Sequence, residues 1–281
     1  MDRVIPVPPE ADTPEIPRDR WGRPLILSLW DDGEQVPYTR ASTLAKALDD
    51  TSNLMAWKQR MTSVGLLQRP DLMTKLAGVV ASGSLDDKTV KRDLNRICRE
   101  ATEAAGASSG ASSGTGLHAL TEAIDLGREP EFVPADVAPR LDAYRAATKH
   151  LGVEAVEQFV VNDQLQVAGT FDRLYRLADG RVVVGDLKTG KSEPSFPGAV
   201  AIQEAIYAHG QSYNPGTGKR SPIHDDLDPD VGLLVHLPPW GGCDVFELNL
   251  RLGWQDALLA ASVRDSRTRD NGDIIRPHGR A

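Results

Sequence analysis

The segment RVVVGDLK, residues 181–188, ends with an aspartate and a lysine one residue apart. Its β-branched run reads as a strand, whose period of two puts Val182, Val184, Asp186 and Lys188 on one face. A carboxylate and an ammonium would then emerge side by side at the strand end, where burial without purpose is costly. The preceding run, GTFDRL, carries Asp172, and a tight antiparallel connection would bring it alongside Asp186. Two converging carboxylates repel, and a hard divalent cation holds both ionised. Lys188 could then orient or help deprotonate a water, or stabilise charge developing on a phosphate.

Three further pieces fit the same centre. Glu157, in VEAVEQFVV, could add an oxygen ligand or bind the attacking water, with Glu154 nearby as an alternative. Gln203 and Tyr207 stand four apart on the next helical run, hence on one face, suited to hydrogen-bonding a phosphate or the lysine. His118, after GTGL at a helix start, could add a nitrogen ligand, which is acceptable at a magnesium or manganese site. The remaining histidines show no metal-ligand spacing, and the five tryptophans read as core or interface residues.

GDLKTGKS, residues 185–192, also matches the phosphate-loop pattern GxxxxGK[ST]. That loop must open a helix whose first N–H groups hold the phosphates, and Pro194 and Pro197 would interrupt its first turns. The run VGLLVHL ends in His and Leu where a magnesium-binding Asp would be wanted. A nucleotide site is therefore rejected in favour of a centre built on Asp172, Asp186 and Lys188.

The elements that must position these residues follow from periodicity. VEAVEQFVV, LQVAGTFDRLYRL and RVVVGDLK, parted by NDQ and ADG turns, predict a three-strand antiparallel meander. Helices are predicted at LHALTEAIDLG, at roughly 136–151, at 199–210 and near 252–265, with two later strands in VGLLVHL and DVFELNL. Residues 42–105 predict several short helices. GASSGASSGTG, residues 106–116, has the composition of a linker, although its end also resembles a helix entry. We expect a flexible arm over 1–37, a helical segment over 38–105 arching over the site, a catalytic core over 114–268 and a tail over 269–281.

The chain has 281 residues, 40% of them hydrophobic, and a net charge of -8. That balance argues against nucleic acid as a partner, since phosphate binding relies on Lys and Arg. The distribution softens this: residues 38–100 hold 11 basic against 7 acidic side chains, so the remainder nets -12. An acidic, metal-needing body with a more basic helical flank would produce this asymmetry. Two cysteines, Cys98 and Cys243, leave no zinc or iron–sulfur site built from Cys and read as buried free thiols in a reducing cytoplasm. The charged, proline-rich start and the lack of a long apolar run predict a soluble, unexported protein without a membrane partner.

The ordered set GTGLH, VEQF, GTFDRL, GDLKTG and QEAIY resembles the PD-(D/E)XK nuclease superfamily, in particular its RecB-type and CRISPR-associated exonuclease branch, which includes phage-encoded exonucleases. The resemblance carries motifs over residues 114–210. It implies an α/β restriction-endonuclease-like core, a mixed central sheet flanked by helices. It also implies that His118, Asp172, Asp186 and the Leu187 carbonyl bind Mg2+ or Mn2+, that Lys188 is the catalytic lysine, that Glu157 is an accessory acid, and that Gln203 and Tyr207 form the branch's helix pair. The four cysteines that hold an iron–sulfur cluster in many members are missing, which favours cluster-free phage-type enzymes. The implied activity is a metal-dependent DNA exonuclease in phage or bacterial recombination, replication or repair, with a recombination or single-strand-annealing protein as a partner. The alternatives are a catalytically silent DNA-binding or assembly module of this fold and a structure-specific endonuclease.

Overall fold

In the computed structural model, residues 15–30, 33–107, 109–190, 197–275 and 278 are described, with backbone alone for 109–113. The chain divides into two compact units, one of residues 1–49 and 117–281, the other of residues 50–116.

The first unit is built on a mixed sheet. The meander runs through β4 (Gly152–Asn162), β5 (Val167–Arg176) and β6 (Val182–Lys188), each antiparallel to the one before. β9 (Leu227–His236) lies parallel to β6, and β10 (Asp244–Asn249) pairs antiparallel with β9 at the edge. Beyond β4, the short β7 (Gln211–Tyr213) and β8 (Arg220–Ser221) extend the other side, giving the order β10-β9-β6-β5-β4-β7-β8. β3 (Thr39–Arg40) adds a parallel pair to β5. The mixed sheet flanked by helices is the restriction-endonuclease-like architecture read from the sequence.

β6 is buried on both faces, as expected of a central strand next to a parallel neighbour. Val182 and Val184 join a core with α1 (Ala41–Ala45), α7 (Gly198–Ala208) and α8 (Leu250–Arg267). Val183 and Leu187 join a second core on the opposite face, with α5 (Ser109–Asp125) and α6 (Ala138–Thr148). α7 is apolar almost all round because it is sandwiched: α8 comes so close that a Cβ on Gly253 would stand 2.3 Å from the Ala201 carbonyl oxygen.

The start of the chain departs from expectation. Within the predicted arm, β1 (Leu25–Leu27) and β2 (Gln35–Pro37) form a hairpin. Ile26 is fully buried in a cluster with Tyr38, Val161, Ala168 and Tyr213. The Tyr38 hydroxyl donates to Asp163, and Arg220 joins Asp163 to the Leu27 carbonyl. Proline content masked this because the short apolar run pairs with distant residues rather than with a local neighbour.

The second unit holds α2 (Ser52–Gln68), α3 (Pro70–Ala81) and α4 (Lys88–Ala104). Asp87 caps α4 by accepting from the Thr89 and Val90 amides. Leu72, Ile97 and Ala101 form its buried centre. The predicted linker is a correction: from Ser109 onward its backbone is already the first turns of α5, since glycine and serine lower helix propensity without forbidding a helix that tertiary packing secures. The cysteines are a second correction. Cys98 is exposed on α4, and Cys243 is half-buried.

Candidate active site

β6 delivers its two charged residues as the strand period demands. The Lys188 ammonium lies 2.5 Å from Asp186 Oδ2, on a carboxylate only 2% exposed. From α7, Gln203 Nε2 donates to Asp186 Oδ1 at 3.3 Å. Burial works to lower the lysine pKa, but the Asp186 carboxylate wins and holds it above its usual range.

Asp172 reaches the same strand end by another contact, its Oδ2 accepting from the Leu187 amide at 2.9 Å. One residue later, Arg173 pairs with Gly185, so Asp172 arrives opposite Asp186. The strand is irregular here. Phe171 packs in the α7-side core, whereas Arg173 reaches α5, although residues two apart share a face in a regular strand. The break falls at Asp172. Across the pairing stands Glu157, whose φ of 50° is left-handed, a strained conformation for a glutamate that functional sites tend to retain.

α5 brings His118, Thr121 and Asp125 to β5 at helical spacing. The His118 Nδ1 lies 3.6 Å from Asp172 Oδ2. Burial pushes this imidazole below its usual range, against the pull of the Asp172 charge. Arg173, 1% exposed, ties the helix down. Its Nε donates to Asp125 Oδ2, its Nη2 to the Thr121 hydroxyl at 3.3 Å and its Nη1 to the Asp172 carbonyl at 2.8 Å. The Tyr144 hydroxyl donates to the same Asp125 oxygen at 2.6 Å.

The acidic surroundings separate two candidates. Glu154 is engaged by Arg176. Glu157 is pushed up to about 7, by burial first and then by the Asp172 charge, with Asp186 contributing. Glu204, next to Gln203 on α7, is completely buried, and neither of its oxygens has a hydrogen-bond partner among the described residues. Burial, then the charges of Asp186 and Asp172, push it far above the carboxylate range. Tyr207 is 4% exposed and packs edge-on against Phe171, so its ring is core as well as site wall.

Asp172, Asp186, Lys188, His118, Glu157 and Gln203 thus gather where the middle of β5 meets the C-terminal end of β6. Among the described residues, no three His, Cys, Asp or Glu side chains already converge as a metal-binding group. His118 is turned to Asp172, while Asp186 is turned to Lys188. The donors nevertheless suit a divalent cation: carboxylate oxygens, the Leu187 carbonyl and an imidazole. Lys191 and Ser192 of the rejected phosphate loop lie outside the described residues. The sequence reading missed Arg173 and Glu204. Arg173 was legible only as the residue after Asp172, and Glu204 as an acid inside an otherwise apolar helical run. Of the tryptophans, Trp254 packs at the core and stacks on His209, while Trp21, Trp30, Trp57 and Trp240 are exposed.

Comparison with known proteins bears on the whole arrangement. A search of curated proteins finds no match. A solved structure titled "Crystal structure of SSO0001" aligns with 77% of this chain and 98% of its own at 13% identity, but its TM-score of 0.29 carries no argument. Residues 72–236 match the PD-(D/E)XK nuclease superfamily, a span that includes every site residue named above. That match covers more than half of the chain, and it coincides with the sheet that carries Asp172, Asp186 and Lys188: the chain belongs to the PD-(D/E)XK nuclease superfamily.

Proposed function

We propose that the protein is a divalent-metal-dependent deoxyribonuclease that hydrolyses DNA phosphodiester bonds as an exonuclease, in phage or bacterial recombination, replication or repair. Its metal is Mg2+ or Mn2+, and a recombination or annealing protein is the partner class. The observation that carries this reading is the Lys188–Asp186 pair at the end of β6, with Asp172 bonded to the intervening Leu187 amide. Family membership supports the reaction class. Among the described residues, no helix is long and apolar enough to cross a membrane.

Asp172, Asp186, the Leu187 carbonyl and His118 would hold the cation. When bound, it supplies Lewis acidity and lowers the pKa of water. The chain's own residues do the rest. Lys188, released from its contact with Asp186 Oδ2, can point its ammonium at a phosphate oxygen or at the attacking water. Gln203 fixes the Asp186 rotamer through Oδ1. Glu157, pushed up to about 7, can take a proton from water near neutral pH. Arg173 holds α5 and β5 together and so keeps His118 facing Asp172.

The test is a digestion time course on 5'- and 3'-labelled linear DNA and on circular DNA, with Mg2+ or Mn2+. Exonuclease action degrades the linear substrates and spares the circle; cutting of the circle replaces it with the endonuclease reading. Asp186→Ala and Lys188→Ala should each lower cutting by about 10³-fold or more, and Lys191→Ala should leave most of it. No degradation while the metal binds would favour the silent DNA-binding module instead.

A further inference from the structure

β9 runs beside β6 and turns into β10 through residues 237–243, LPPWGGC. The two strands are parallel, with Leu234 opposite Asp186 and His236 opposite Lys188. Partners across a parallel pair point to one face, so His236 stands on the lysine's side of the sheet, one strand spacing of about 4.8 Å away. Leu234, packed with Val182 and Val184, marks that face. The Trp240 ring then meets the His236 ring edge-on, with centroids 6.3 Å apart. The turn that carries it is held from several sides. The Leu237 amide donates to the Lys188 carbonyl at 2.8 Å, Arg140 donates to the Leu237 carbonyl at 2.7 Å, and His236 Nε2 donates to the Gly190 carbonyl at 3.0 Å. Pro238 and Pro239 restrict the backbone ahead of the ring, and Gly241 and Gly242 take the left-handed conformations, φ 99° and 77°, that close the turn. Trp240 nevertheless remains 67% exposed.

A ring already fixed in place loses little freedom when a flat partner stacks on it, and every nucleobase offers such a face. Stacking is also a source of affinity that suits these surroundings. The chain nets -8, and the carboxylates of Asp172, Asp186 and Glu157 repel phosphates, whereas a base is uncharged. We propose that Trp240 is a stacking platform for an unpaired base of the DNA strand, close to the phosphodiester that lies at Asp172 and Asp186. Inside a duplex both faces of a base are covered by its neighbours, so the platform selects unpaired over paired strand. This deepens the nuclease reading and rests on it for the identity of the strand. His236 and the two prolines act as the ring's support and do not touch the DNA.

Binding is measured without cutting, by fluorescence anisotropy in EDTA. The ligands, all of one length, are a single-stranded oligonucleotide, an abasic strand that keeps the sugar–phosphate chain alone, and a blunt duplex. The variants are Trp240→Ala and Trp240→Phe, with Trp30→Ala as control, since Trp30 is 68% exposed in the connection from β1 to β2. Trp240→Ala should weaken binding of the single strand about 10- to 100-fold, the range for one lost base–aromatic stack. Trp240→Phe, which keeps a π-face, should recover most of that loss. The abasic strand should bind wild type and Trp240→Ala equally weakly, and the duplex should lose far less than the single strand. The proposal is overturned if Trp240→Ala binds the single strand like wild type, or if the abasic strand or the duplex loses as much as the single strand. It is also overturned if Trp30→Ala does the same damage. Failure of the nuclease reading looks different: wild type cuts no DNA with Mg2+ or Mn2+ present, whatever the anisotropy gives.

Discussion

Glu157 carries an unusual burden for a single residue: a left-handed backbone in the middle of β4 and a carboxyl pushed up to about 7 from its ordinary 4.5. Because its folded pKa is raised, the folded protein holds a proton that the unfolded chain releases between those values. Stability from this group is therefore intact below pH 4.5 and is lost as pH climbs through about 7. Glu157→Gln removes the titration. Thermal melts in EDTA should show variant and wild type alike below pH 4.5, with the variant gaining as pH rises toward 7 and keeping a level advantage above it. A constant offset at all pH values would contradict this origin. The same residue illustrates what was legible at this scale. Asp172, Asp186 and Lys188 could be read as candidates from type and spacing, whereas only the fold shows Arg176 engaging Glu154 and leaves Glu157 as the proposed accessory acid.

At the scale of elements, the site depends on two clamps. The first joins α5 to β5 through Arg173, which meets Asp125, Thr121 and the Asp172 carbonyl. Asp125 is 6% exposed, and burial raises its pKa against the pull of Arg173. Arg173→Met would strand that carboxyl, which should cost about 3–5 kcal/mol in urea denaturation. Asp125→Asn in the same chain should recover part of the loss. The second clamp is α8 against α7 at Gly253. Gly253→Ala forces a methyl toward the Ala201 carbonyl, with an expected cost of about 1–3 kcal/mol. Because α7 carries Gln203 and Tyr207, cleavage should fall with it; unchanged activity in a destabilised variant would show that α7 tolerates displacement. Neither clamp is readable from sequence, since both join residues far apart along the chain.

For the whole molecule, charge is divided between the two units. The second unit carries Lys58, Arg60, Lys75, Lys88, Lys91, Arg92, Arg96 and Arg99, all exposed. The first holds the carboxylate-rich site. If the helical unit contributes phosphate contacts, Lys88→Ala with Lys91→Ala should raise the KM for DNA while leaving kcat. Each lost contact should lower the slope of log affinity against log salt by about 0.7–0.9. A KM and salt slope matching wild type would remove this unit from DNA binding. The hairpin of β1 and β2 belongs to the same scale: a proline-rich start reads as an arm until Tyr38, Val161 and Tyr213 are seen closing over Ile26.

The sequence alone determined the candidate site residues and the central meander with the helix after it, because residue type, strand period and helix spacing are local properties. It could say that an Asp and a Lys share a face of one strand and that a Gln and a Tyr share a face of one helix. Tertiary structure decided which groups are sealed from water and which distant partners meet: Arg173 against Asp125, Glu204 buried beside Gln203, and His236 opposite Lys188 with Trp240 against it. Burial and electrostatic surroundings depend on residues brought from all along the chain, so no window of sequence contains them.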